Sequence, residues 1–244
     1  MKPYVHFVLT LAVMFPVVRL ADSAGVPFLV TLAVFFLASN QLTLLFNSRA
    51  TRKLWPIPER GYDRRREELE RDENVIFNLG FVKLDEFYLK TISDVVVYAY
   101  RHRSEPVDLY LYHLGVKRTC DFITRFEGDI TLTTTTTKSA GAVKRLPRRL
   151  LQIFTGESYD ALLERHRRAA AFLSHHGIAA VELPVANFRE RFLKSMREFY
   201  DCGKSQRFFL LRFFGGLASS AGQNYRRPLE QQYPSGLTLD VLTG

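Results

Sequence analysis

The chain has 244 residues, of which 47% are hydrophobic, so it can form at least one domain with a hydrophobic core. Its formal net charge is +9 at pH 7, and the basic residues are widely spread. The only two cysteines, Cys120 and Cys202, lie too far apart for a CxxC motif, which argues against a zinc knuckle or a redox pair.

Two apolar stretches near the N-terminus predict a transmembrane hairpin. They cover residues 4–20 and 26–46, with a short turn at 21–25. A bilayer core about 30 Å thick requires about 20 apolar helical residues. The second stretch meets this length, whereas Pro16 and Arg19 make the first one marginal. Two alternatives stay open: a cleaved signal peptide followed by one span, and a shallow re-entrant hairpin.

The distribution of basic residues predicts the orientation of the hairpin. Several arginines and lysines follow the second stretch, whereas the turn at 21–25 has none. Basic residues near a span stay on the cytoplasmic side, and this rule fixes the orientation of the hairpin. We expect an integral protein of the plasma or inner membrane. Both termini and the soluble domain are then cytoplasmic.

The residues after the second stretch are expected at the membrane interface. Arg49, Arg52 and Lys53 would face anionic lipid headgroups, and Trp55 would anchor its ring at the headgroup level. In the alternative interpretation, Trp55 packs in the soluble core. The membrane explains the basic composition without a nucleic-acid partner.

A charged linker at 47–74 is predicted to join the hairpin to the domain. Opposite charges at helical spacing, such as Arg64 and Glu68, indicate a solvated helix within it. We expect the cytoplasmic domain to cover 75–222 and a polar tail to cover 223–244.

About five strands are predicted in the first half of this domain. The segments are rich in Val, Tyr, Phe and Thr, and short turns separate them. Short connections favour an antiparallel meander, because parallel neighbours need a long crossover. The segments are Phe81–Lys90, Asp94–Arg103, Val107–His113, Arg118–Phe126 and Ile130–Thr137.

Four tyrosines in the second and third strands form a candidate aromatic platform. If Arg103 lies opposite Val107, all four side chains share one face of the sheet. They are Tyr98, Tyr100, Tyr110 and Tyr112. Such a face can bind a ligand or a partner, or it can be covered by helices. A register shifted by one residue would destroy this arrangement.

Helical periodicity follows the strands. Ser158 is expected to cap a helix over Tyr159–His175, which Gly177 ends. A short strand at Ala179–Leu183 and an amphipathic helix at about Val185–Asp201 come next. Because strands precede helices, we predict a membrane-anchored α+β protein whose C-terminal helices cover one face of the sheet.

The segment Phe208–Ala218 is the most hydrophobic part of the chain outside the hairpin. It is too short to span a bilayer, so it belongs to the core, to the membrane surface or to a contact with another subunit. The residues available for such a contact are Phe208, Phe209, Arg212, Phe213 and Phe214.

The sequence contains no motif that predicts catalysis. Gly203-Lys204-Ser205 resembles the end of a phosphate-binding loop, but Glu198 occupies the position of the required first glycine. The six histidines lack metal-binding spacing, and no serine lies in G-x-S-x-G. We therefore predict no catalytic, cofactor-binding or metal-binding residues.

These observations favour a non-enzymatic accessory, structural or assembly subunit of a larger membrane complex. Asn40 and Gln41 place polar groups inside the second predicted span, where such groups usually face protein rather than lipid. Other membrane protein subunits are therefore the expected partners. Two alternatives stay open: a membrane-tethered domain that binds a lipid or another hydrophobic ligand, and an enzyme whose site is assembled from scattered residues.

The topology can be tested by cysteine labelling in a chain that lacks Cys120 and Cys202. We expect a cysteine at Ser23 to react with a membrane-impermeant maleimide in intact cells, because the turn lies across the membrane. A cysteine at Ser235 should react only after the cells are opened. Labelling of position 235 but not of position 23 in intact cells would contradict the predicted orientation.

Overall fold

The structure, a computed structural model, describes residue 19 and residues 53–58, 61–90, 95–114, 117–137, 140, 148–205, 224–234 and 236–237. The predicted hairpin, apart from Arg19, lies outside the described residues, as do Arg49, Arg52 and the segment Phe208–Ala218. Within the described part, no helix has both the length and the apolar character needed to cross a membrane.

A six-stranded sheet forms the centre of the domain, with the strands in sequence order. The first five strands pair in antiparallel fashion, which confirms the predicted meander. The last strand was not predicted, and it pairs parallel to its neighbour after a long connection. The strands are β1 (Phe81–Leu89), β2 (Val95–His102), β3 (Val107–Leu114), β4 (Lys117–Phe126), β5 (Ile130–Thr135) and β6 (Arg149–Ile153).

Five α-helices accompany the sheet in the described residues: α1 (Asp63–Glu70), α2 (Glu73–Asn78), α3 (Tyr159–His175), α4 (Phe188–Ser205) and α5 (Leu229–Gln232). The predicted bounds of α3 are confirmed. Gly177 follows the helix with a φ of 77°, and the Ile178 N–H donates to the Leu173 carbonyl at 3.1 Å. Ser158 occupies the N-cap position, but its side chain makes no capping hydrogen bond. The strand predicted at Ala179–Leu183 is reduced to one bridge between Ala180 and Phe126.

Helices pack on both faces of the sheet, so the prediction of a single covered face is wrong. The α3 face, which carries Tyr98, Phe122 and Leu132, is covered by α1, α2 and α3. The α4 face carries Phe87, Val97 and Tyr110 and packs against α4. The physical reason lies in β2, which is buried at every position. A strand with apolar residues at consecutive positions needs cover on both faces.

The predicted linker contributes to the hydrophobic core. Ile57 and Leu69 are 7% and 1% exposed, and they pack in the same cluster as Ile76 of α2, which follows the predicted linker by two residues. The expectation of a solvated helix therefore holds only for its outer side. Arg64, on that side, forms the predicted ion pair with Glu68 at 3.0 Å. Packing of the domain thus begins well before residue 75.

The contribution of α2 can be measured with two adjacent substitutions. Ile76→Ala should lower the free energy of unfolding by about 2–5 kcal/mol, because it removes a fully buried side chain. Val75 is 48% exposed, so Val75→Ala should change it by no more than about 0.5 kcal/mol. Chemical denaturation of the full chain in detergent provides the measurement. Equal effects of the two substitutions would show that α2 is not packed on the sheet.

Candidate functional site

A short segment, here called the strap (residues 53–58), binds the outer edge of the sheet. Trp55 and Tyr88 of β1 exchange two backbone hydrogen bonds, with N–O distances of 3.0 and 2.8 Å. Ile57 is buried in the core two residues later. Pro56 and Pro58 lack an N–H and cannot extend the pairing. The strap thus attaches the chain to β1 at a defined point and protects part of an edge strand.

The Trp55 ring lies at the surface. Trp55 is 40% exposed, and the Lys53 Nζ lies 4.4 Å from the centroid of its ring. This distance is suitable for a cation–π interaction. The alternative interpretation, in which Trp55 packs in the core, is therefore wrong. Anchoring of Trp55 and Lys53 at a membrane interface stays a prediction.

The predicted aromatic platform is wrong, because the pairing of β2 with β3 differs by one residue. Tyr98 lies opposite Leu111, and Tyr100 lies opposite Leu109. Tyr98 and Tyr100 consequently face α1–α3, whereas Tyr110 and Tyr112 lie on the α4 face. The apolar pattern could not select the register, since both faces are buried.

A buried ion pair accompanies the observed register. Arg101 of β2 lies opposite Asp108 of β3, and the Arg101 Nε donates to the Asp108 Oδ1 at 2.7 Å. The turn between the strands accordingly uses four residues, 103–106, rather than three. A charged pair that is directly cross-strand and shielded from water favours one pairing over its neighbours.

On the α3 face, polar groups of the sheet bind the acidic side chains of α1 and α2. The Tyr100 hydroxyl donates to the Glu73 carboxylate at 3.0 Å, and His113 Nε2 lies 2.6 Å from the Glu68 carboxylate. The Tyr159 hydroxyl of α3 donates to Asp72 at 2.6 Å. Burial raises the pKa of the Tyr100 hydroxyl, and Glu73 raises it further. These contacts hold the two short helices on the sheet.

Sequence reasoning missed a buried polar network around His166 of α3. His166 is 0% exposed, and its Nε2 and Nδ1 atoms each lie 2.9 Å from a threonine hydroxyl, those of Thr124 and Thr134. Gln152 of β6 donates to Thr134 and accepts the backbone N–H of Leu229, both at 2.9 Å. The network thereby joins α3, three strands and α5. The residues of the network lie far apart in the sequence, and their spacing matches no motif that would have predicted it.

The charge state of His166 follows from its surroundings. Burial lowers the pKa of His166 to about 3, so the imidazole is neutral at pH 7. A neutral imidazole has one donor and one acceptor, which matches the two hydroxyl groups. The role of this histidine is to satisfy hydrogen bonds inside the core.

A second polar cluster lies on the α4 face, around Asp108. Besides the bond from Arg101, the carboxylate accepts one from the Arg125 Nη1 at 3.2 Å. Arg101 also donates to the Leu183 carbonyl at 2.8 Å, and Arg191 of α4 donates to the Pro184 carbonyl at 2.6 Å. The cluster draws on β2, β3, β4 and α4, so no local motif could have predicted it.

Comparison of the chain with protein-family models, with curated proteins and with solved structures finds no match. In the part of the chain that the structure describes, no group of three or more His, Cys, Asp or Glu residues could hold a metal ion.

The buried His166 makes stability depend on pH in a defined direction. Its folded pKa is about 3, below the ordinary histidine value of about 6.5, so the unfolded chain binds the proton first as the pH falls. We expect stability to decrease from about pH 6.5 down to about pH 3, by up to about 1.4 kcal/mol per pH unit from this group. His166→Gln should remove this contribution, as measured by denaturation between pH 4 and 7.

His175→Gln provides the matched control, because His175 lies on the same helix and is exposed. It should keep the pH dependence of the original protein. Asp121, whose pKa burial raises to about 6, acts in the opposite direction but is present in all three proteins. An unchanged pH slope in His166→Gln would show that His166 is not held neutral by burial.

Proposed function

We propose that this protein is a non-enzymatic accessory or assembly subunit of a larger membrane complex, anchored by its N-terminal hairpin. The observation that carries the proposal is the strap on β1. Lys53 follows Phe46, the end of the second predicted span, by seven residues. An extended chain of that length covers at most about 25 Å. The outer edge of the sheet therefore lies close to the membrane if the span is present.

The strap also supports a defined orientation of the domain. Paired backbone at Trp55 and a buried Ile57 fix the strap to the domain, so that only the residues between Phe46 and Lys53 are left to join the domain to the predicted span. The exposed Trp55 ring and the Lys53 ammonium lie where headgroup contacts are expected. Arg49 and Arg52 would extend this basic surface toward anionic lipids. A fixed orientation suits a subunit that must present one face to its neighbours.

Further contacts with neighbours are proposed from the sequence. Asn40 and Gln41 would dock the second span against the spans of other subunits through hydrogen bonds. The segment that follows α4 would contribute to the membrane surface or to a subunit contact, through Phe208, Phe209, Arg212, Phe213 and Phe214.

The two alternative functions receive less support. A hydrophobic ligand between sheet and helix would need a space lined by aromatic rings. On the α4 face, the Tyr110 ring instead contacts Phe188 and Phe192 directly, at centroid distances of 5.8 and 5.3 Å. An enzyme whose site were the polar cluster around Asp108 would need a free base or nucleophile there. Both oxygens of Asp108 already accept bonds from arginines, which favours binding over catalysis.

The proposal is tested by purifying the full chain in mild detergent and identifying the proteins that accompany it. Asn40→Leu with Gln41→Leu should weaken this association without lowering the amount of protein in the membrane. Each lost interhelical hydrogen bond is worth about 0.6 kcal/mol on average.

Thr31→Leu, another exchange of a polar residue for leucine in the same predicted span, is the control and should leave the association unchanged. Partners that co-purify equally well with the double variant would argue against docking through Asn40 and Gln41. A chain that purifies without any stoichiometric partner would contradict the subunit proposal itself.

A further inference from the structure

The N-terminal chain reaches the domain at one particular end of the sheet. The strap pairs with β1 in antiparallel fashion, with Trp55 opposite Tyr88. From Trp55 back to Lys53, the chain therefore runs toward Lys90, the residue that follows β1. The residues before Lys53 lead on to Phe46, where the second predicted span ends. We call the end of the sheet at which β1 finishes the strap end.

The strand register extends the strap end across four strands. Leu89 of β1 lies opposite Val95 of β2, which in turn lies opposite Leu114 of β3. Leu114 lies opposite Lys117, the first residue of β4. Neighbouring strands are about 4.8 Å apart, so Lys117 lies about 14 Å from Leu89 across the sheet. Lys90 and Lys117 thus share this end of the domain with the strap.

The strap end carries an excess of positive charge. Lys53, Lys90 and Lys117 are exposed, and none of them forms an ion pair with another described residue. The connection 91–94 adds one acidic residue, Asp94, in the sequence. Three lysines against one aspartate leave a net charge of +2 at these strand ends.

The opposite end of the sheet has a balanced set of charges. Arg103 and Glu105 share the turn between β2 and β3, and Glu127 and Asp129 lie between β4 and β5. Arg149, the first residue of β6, pairs with Asp129 at 3.3 Å. An anionic surface is therefore attracted more strongly to the strap end than to the opposite end.

We propose that the strap end of the sheet lies on the headgroups of an anionic bilayer, with Lys90 and Lys117 as contacts beside the strap. The inference rests on the hairpin anchor of the proposed function, and it adds which end of the domain faces the lipid. The chain from Phe46 to Lys53 covers at most about 25 Å, which keeps this end near the bilayer. Each lysine near an anionic surface strengthens the association about fivefold. The attraction decays within about 8 Å at physiological ionic strength, so distant lysines gain little.

The contact is tested by labelling lysines of the full chain in nanodiscs with a water-soluble acylating reagent, followed by mass spectrometry. Discs of phosphatidylcholine are compared with discs that also contain phosphatidylserine. Lys90 and Lys117 should react several-fold more slowly beside phosphatidylserine, and high salt should remove this difference. Lys194 is the internal control, because it is exposed and pairs with Glu198, which also binds Arg149 at the opposite end. Its rate should be the same in both discs.

A double variant tests whether the two lysines cause the contact. Phosphatidylserine should raise the Tm of the original protein, because the anionic surface binds the folded domain. Lys90→Gln with Lys117→Gln should remove most of this increase, since two factors of about five weaken the association about 25-fold. The Tm in phosphatidylcholine discs should stay unchanged, because both side chains are exposed.

Arg103→Gln with Arg168→Gln is the matched control, which removes the same charge at the opposite end. Arg103 lies in the turn between β2 and β3, and Arg168 follows Arg167, which binds Glu105 of that turn. Arg168→Gln also removes an exposed ion pair with Glu164, which contributes little to stability. This variant should keep the Tm increase that phosphatidylserine produces.

Two results would overturn the proposal. One is an equal labelling rate of Lys90 and Lys117 in both kinds of disc. The other is an equal loss of the Tm increase in the two double variants, which would show a dependence on total charge alone. A chain that purifies without stoichiometric partners would contradict the subunit proposal and leave both measurements unchanged, so the two proposals fail separately.

Discussion

The sheet is apolar on both faces, and most of the structure follows from the need to cover them. β2 is buried at every position, with Val95, Val96 and Val97 in succession. One layer of helices cannot shield such a strand from water. The fold therefore places α1–α3 on one face and α4 on the other. This requirement also draws the charged linker into the domain, since its residues Ile57 and Leu69 supply part of the cover.

Burial on both faces imposes a second condition, because each polar group inside must find a partner. His166 meets it with two threonine hydroxyls, and Tyr100 meets it with Glu73. Arg101 and Arg125 share the Asp108 carboxylate. The positive charge around Asp108 exceeds what that carboxylate balances.

The sequence predicts local elements well and long-range pairing poorly. The five strands of the meander and α3 depend on composition and periodicity within a few residues, and those predictions are confirmed. The strand predicted at Ala179–Leu183 is reduced to one bridge, and β6 was not predicted. The register of β2 and β3 depends on the Arg101–Asp108 pair and on a four-residue turn, which hydrophobicity does not encode. The clusters around His166 and Asp108 join residues from several strands and helices, so no spacing predicts them. The sequence left a core position of Trp55 open as an alternative, and the 40% exposure of this residue, which pairs with Tyr88 in the strap, excludes it.

We propose that the strap holds the β1 edge of the domain against the membrane. Trp55 is the single tryptophan of the chain, so intrinsic fluorescence reports on this position alone. The position of the strap can be measured as quenching of this fluorescence, with the full chain reconstituted into vesicles that contain lipids brominated at different depths. If the strap lies at the membrane surface, bromine close to the headgroups should quench the Trp55 emission strongly, and bromine at the bilayer centre should quench it less. Emission that no brominated lipid quenches, but that aqueous iodide quenches fully, would contradict it.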